Sequence, residues 1–99
     1  MASHQSVTLA PNAWTQVTAS DVSAAMLQNQ SGYAIRVLAT AGVTPPAATP
    51  AVIATGIEFF PGGGFDASRL LSEIFPGITG ANRIWAYCSM HGQVVCSHA

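Results

Sequence analysis

Apolar residues never run long in this chain. They arrive in short stretches, each closed by a cluster of Gly, Pro, Asn or Ser, and that punctuation restricts the fold more than any other feature. Val7-Thr8-Leu9 is β-prone and stops at Pro11-Asn12. Residues 14–18 are rich in aromatic and β-branched types, which suit a pleated, half-buried surface. Residues 22–28 read as a further strand, with a helix over Ala24-Ala25-Met26-Leu27 as the alternative. The cluster Asn29-Gln30-Ser31-Gly32 predicts a hairpin into residues 33–39, which place Tyr33, Ile35 and Val37 on one face. Residues 52–60 return to strand before Pro61-Gly62-Gly63-Gly64. Residues 82–90 alternate, Ile84, Ala86 and Cys88 facing one way and Trp85 and Tyr87 the other. His91-Gly92 then predicts a hairpin with residues 93–97. Short strands at this spacing describe a single all-β domain over residues 1–99, a small β-sandwich or jelly-roll-like barrel.

Two segments fall outside the strand pattern. Residues 40–50 contain Pro45, Pro46 and Pro50, which lack ladder donors and favour extended backbone, so a long loop is expected. The loop, together with residues 1–10 read as an N-terminal arm, has the composition to reach over a neighbouring molecule. Residues 68–75 predict the one helix: Leu70, Leu71, Ile74 and Phe75 make a stripe, and Pro76-Gly77 ends it. A helix so short is held by packing, as a lid over one end of the barrel.

Charge decides which partners are in reach. Seven of the 99 residues are formally charged: Arg36, Arg69, Arg83, Asp21, Glu58, Asp66 and Glu73, with no lysine at all. An average soluble domain carries about 25%. So few ions leave a surface that loses its water with little electrostatic penalty when another protein covers it. With no basic cluster and a net charge of −1, a phosphate-tracking surface is absent, and nucleic acid is not an expected partner. No stretch approaches the roughly 18 apolar residues of a membrane span. The start, Met1-Ala2-Ser3-His4-Gln5, lacks a secretory pattern, so cytoplasmic synthesis and free thiols at Cys88 and Cys96 are expected.

Few residues suggest chemistry. Cys88, His91, Cys96 and His98 are spaced C-x2-H-x4-C-x-H, within range of a tetrahedral zinc site if the hairpin register brings the cysteines together. The alternative is two half-buried thiols and two unrelated histidines, and no metal or cofactor is assigned. The glycine run lacks a phosphate-loop motif, and no nucleophile elbow is present. Asp66 and Glu73, seven apart, fit a solvated helix start better than a catalytic pair. An enzyme is not expected. Trp14, Tyr33, Trp85 and Tyr87 are candidates for a sugar-stacking platform, against the commoner fate of aromatic residues in cores and interfaces. The residues favoured as core or interface anchors are Trp14, Tyr33, Phe59, Phe60 and Trp85, with Arg36 and Arg83 supplying directional polar bonds.

The phrases 13–18 (AWTQVT), 28–33 (QNQSGY) and 73–87 (EIFPGITGANRIWAY), with the ending VCSHA, resemble small virion proteins of tailed bacteriophages and related gene-transfer particles. The resemblance implies a compact β domain made in the host cytoplasm and fixed outside a capsid as a decoration, or cement, protein. Its implied partners are the major capsid protein and copies of itself, most simply as a trimer. Other members of that group sit on the tail or baseplate or carry fibres.

Overall fold

The computed structural model describes residues 2–65 and 67–99; Met1 and Asp66, the latter part of the carboxylate pair considered above, lie outside them. Eight strands form in chain order: β1 (Ser3–Leu9), β2 (Ala13–Gln16), β3 (Ala24–Asn29), β4 (Ile35–Thr40), β5 (Ile57–Phe59), β6 (Arg69–Leu70), β7 (Arg83–Cys88) and β8 (Gly92–His98). Two helical turns interrupt them, α1 (Pro50–Ile53) and α2 (Leu71–Ile74). The strands make two four-stranded sheets, β1-β8-β3-β6 and β2-β7-β4-β5.

That order has a simple origin. First pairs with last, β1 with β8, then β2 with β7, β3 with β6 and β4 with β5, all antiparallel. This is the ladder of one long hairpin, rolled up so that β3 also meets β8 and β4 meets β7. The result is a jelly roll, an eight-stranded sandwich in which every connection except β4–β5 crosses between sheets.

Period-two patterning builds the core. Ile35, Val37 and Ala39 of β4 and Ile84, Ala86 and Cys88 of β7 point inward from one sheet. Leu9, Ala25, Leu27, Val94 and Cys96 meet them from the other. Leu71 of α2 and the following Phe75 plug the end of the sandwich opposite the β3–β4 turn, the lid expected of this segment. Among the described residues no helix is long and apolar enough to cross a membrane.

Several expectations need correction. Neither predicted hairpin pairs its own strands: β3 and β4 lie in different sheets, as do β7 and β8. Competing partners hold the strand ends apart. The carbonyl of Cys88 accepts from Asn12 N (2.8 Å), and Gln93 N donates to Ser31 Oγ (2.8 Å). Residues 52–60 do not run as one strand. Thr49 caps a helical turn, its hydroxyl accepting from Val52 N, with Pro50 at the first helical position. The strand begins only at Ile57. Residues 68–75 shorten to one turn because Arg69 and Leu70 pair with Ala25 and Ala24 at the edge of β3. Among the described residues there are thus two short helices, not one. Residues 1–10 are no free arm: Ser3 to Leu9 pair residue by residue with β8. Tyr33 precedes its strand and is exposed, so it does not share the face of Ile35 and Val37.

Candidate interaction surface

The outer face of β2-β7-β4-β5 is organised in rows. Cross-strand pairing aligns Trp14, Tyr87, Arg36 and Glu58 in one row, then Gln16, Trp85 and Leu38, then Arg83 and Thr40. The Trp14 and Tyr87 rings meet at 5.5 Å with a 58° tilt. Both indoles are covered, Trp14 at 9% and Trp85 at 7% exposure. Their N–H donors are satisfied, Trp14 Nε1 by the Ala47 carbonyl (3.1 Å) and Trp85 Nε1 by Thr40 Oγ1 (2.8 Å). The loop within residues 40–50, expected to reach a neighbour, bonds to this face of its own domain through Ala47.

The arginines are also committed within the chain. Arg36 donates to the Gly56 carbonyl (3.2 Å) and lies 3.6 Å from Glu58. Arg83 Nε reaches Asp21 at 2.6 Å, and its Nη1 reaches Gln16 at 3.2 Å. Phe59 is half-buried against the core, edge-on to Phe65 at 5.1 Å. Of the seven predicted anchors, Trp14, Arg36, Phe59, Arg83 and Trp85 therefore hold the sandwich together. Tyr33 and Phe60 are the two that face outward. The four-aromatic sugar platform does not assemble, since its indoles are enclosed and Tyr33 sits on a loop at the end of the sandwich.

That end is the most distinctive surface. The antiparallel order brings the connections 10–12, 30–34, 60–64 and 89–91 to the same end. Asn29, fully buried at the tip of β3, ties two of them, 30–34 and 60–64, to each other and to the end of β5. Its Nδ2 donates to the carbonyls of Tyr33 (2.8 Å) and Phe59 (3.1 Å), and its Oδ1 accepts from Ser31 N (2.9 Å). Its backbone exchanges bonds with Gly62 and Gly63. Ser31 Oγ then reaches the backbone of Gln93 at the start of β8, fitting against Gly92 because no side chain stands there. This polar scaffold fixes three large apolar side chains in water: Tyr33 at 49% exposure, Phe60 at 67% and Met90 at 47%. Beside them lies a shallow groove of about 290 Å³ bordered by Gln30, Ser31, His91 and Gln93. None of the four connections contains Asp, Glu, Lys or Arg.

Sequence reasoning missed Met90, and missed that Asn29 and Ser31 are structural. Their turn cluster was visible, but a turn Asn is ordinarily solvated, and nothing local marks this one as buried. The C-x2-H-x4-C-x-H group is dispersed. Cys88 and Cys96 are inward-facing free thiols from opposite sheets, and His91 lies at the loop end. His98 is at the far end, its Nε2 accepting from Ala19 N (3.0 Å). An amide can only donate, so that ring carries its proton on Nδ1, which sits 3.1 Å from the Ala99 carbonyl. Among the described residues no three His, Cys, Asp or Glu side chains gather as a metal site. Comparison of the chain with protein-family models, with curated proteins and with solved structures finds no match.

Proposed function

We propose that this chain is a structural virion protein, a decoration (cement) protein that seats its uncharged loop end on the outer surface of a tailed-phage head. Its partners are the major capsid protein and further copies of itself, assembled in the host cytoplasm. One observation carries the reading: three large apolar side chains, Tyr33, Phe60 and Met90, are held exposed on connections that contain no Asp, Glu, Lys or Arg. Permanent protein contacts are enriched in aromatic residues and Met and depleted in Lys, Glu and Asp at their centres. Aromatic side chains on a rigid support lose little freedom when a partner covers them. The resemblance of residues 13–18, 28–33 and 73–87 to small phage virion proteins points the same way. Fold alone does not, because jelly rolls serve capsids and lectins alike.

The test is co-sedimentation with empty tailed-phage heads. Wild type is expected to pellet with the heads, and Phe60→Asp and Tyr33→Asp to stay in the supernatant with unchanged melting curves. Wild type that ignores heads would overturn the assignment. Binding to tails in labelled particles would move it to the tail or baseplate. Retention on a glycan array that depends on Tyr33 and Phe60 would favour a carbohydrate-binding module instead.

A further inference from the structure

A sandwich of two open sheets has four edges, and this one treats them unequally. β6 is two residues long, β5 three and β2 four. Beside β6, the free edge of β3 is closed by residues 62–65, with Asn29 N donating to Gly63 O, Gly62 N to Asn29 O and Phe65 N to Leu27 O. Short or covered edges are how β proteins avoid pairing with one another. β1 is the exception. It spans seven residues, pairs with β8 on one side, and pairs with no strand on the other among the described residues. Its sequence, Ser-His-Gln-Ser-Val-Thr-Leu, holds no proline and no formal charge, the two usual guards of an open edge.

We infer that β1 adds a strand from a second copy of this chain, β1 to β1 in antiparallel register about Ser6, so that the two outer sheets join into one of eight strands. Self-pairing follows from the strand's own pattern. Full overlap of seven residues places Ser6 opposite its own copy, His4 opposite Thr8 and Gln5 opposite Val7. The outward row (His4, Ser6, Thr8) then pairs hydroxyls and an imidazole with one another, with no like charges in opposition. On the inward row Val7, only half-buried in one copy, gains the aliphatic stem of Gln5 from the other. The outer face beyond it helps: Gln93, Val95 and Ser97 of β8 and Ala24, Met26 and Gln28 of β3 carry no charge to repel a neighbour. Such a contact is isologous and closes as a dimer. The trimer expected from the sequence needs a heterologous contact, which this edge does not offer. The inference stands independently of the virion role, because it concerns the chain alone.

Sedimentation velocity on the purified full chain, over a concentration series, reads the assembly directly. Wild type is expected at twice the 10.2 kDa chain mass. Ser6→Lys sets two cations face to face at the two-fold axis and is expected to weaken association at least tenfold. Ser6 is exposed, so the fold survives, and circular dichroism checks this. Ser6→Cys is expected to cross-link to itself under mild oxidation at least tenfold faster than Ser89→Cys, an exposed control at the loop end. A wild type that stays monomeric, a Ser6→Lys variant that dimerises like wild type, or a Ser6→Cys variant no faster than the control would each overturn the pairing. Should Ser6→Lys fail to fold, the cross-linking rate alone decides.

Discussion

Trp14 and Ala47 are 33 positions apart in sequence, yet the indole N–H of the first donates to the carbonyl of the second at 3.1 Å. The bond fastens the loop after β4 across the outer face of β2 and β7. It explains why an aromatic residue pointing away from the core is only 9% exposed. A loop with two consecutive prolines, Pro45 and Pro46, has little conformational freedom to lose, so one directional bond and the ring face beneath it suffice to hold it.

Trp14→Phe keeps most of the ring and deletes the donor. The Ala47 carbonyl is left to water, and the expected loss is about 1 kcal/mol by urea unfolding. The more telling readout is limited proteolysis, in which cleavage within residues 41–49 is expected to accelerate while the rest of the domain stays resistant. Unchanged proteolysis would mean that the loop is held by other contacts.

Asn29→Asp is nearly isosteric and reverses the chemistry. Two carbonyls, those of Tyr33 and Phe59, would face an acceptor in place of the Nδ2 donor, at a fully buried position. The expected destabilisation is about 3 kcal/mol or more, well above the typical loss of a single neutral hydrogen bond. Denaturant melts measure it. A loss below about 1 kcal/mol would show that Asn29 is not the scaffold of the loop end.

What could be read from the chain follows from how local each signal is. The alternation of β7 was legible because Ile84, Ala86 and Cys88 are small or aliphatic while Trp85 and Tyr87 are not, and period two needs no knowledge of the partner strand. The sheet assignment of β8 was not legible. His91-Gly92 specifies that the chain reverses, whereas the bonds of Asn12 to Cys88 and Ser31 to Gln93 decide into which sheet it returns. Those partners lie more than 60 residues away. The α1 turn was written in Thr49-Pro50, a cap followed by a residue suited to the first helical position, and β-branched Val52 and Ile53 masked it. The fate of Trp14 depended on a distant loop, through Ala47, and that of Trp85 on Thr40 of a strand 45 positions away, so composition alone left core, interface and ligand platform open.

Gly64 should tolerate nothing larger. A Cβ there would land on the Leu27 carbonyl oxygen and 2.8 Å from Gln28 Cα, both of them backbone, so the segment closing the β3 edge would have to move away. Gly64→Ala is expected to cost about 2–3 kcal/mol. Gly77→Ala, with nothing within 4 Å of the new methyl, is expected within about 0.5 kcal/mol of wild type. Equal melting temperatures for the two variants would contradict the close approach at β3.

Cys96 links the core to alkaline pH. Burial between the sheets pushes its thiol from the ordinary value of 9.0 up to about 11, because the thiolate would be stripped of water. Above pH 9 the unfolded chain releases this proton while the folded chain retains it. The unfolded state then binds fewer protons, and stability falls as pH rises from about 9 to about 11. Below pH 9 the contribution is present in full. Cys96→Ala removes the group and is expected to flatten this part of the stability profile relative to wild type, although the cavity lowers its stability at every pH. The same burial predicts that iodoacetamide at pH 8 labels Cys96 only when denaturant opens the sandwich. Rapid labelling of the native protein, or parallel alkaline profiles for wild type and Cys96→Ala, would place the thiol outside the core.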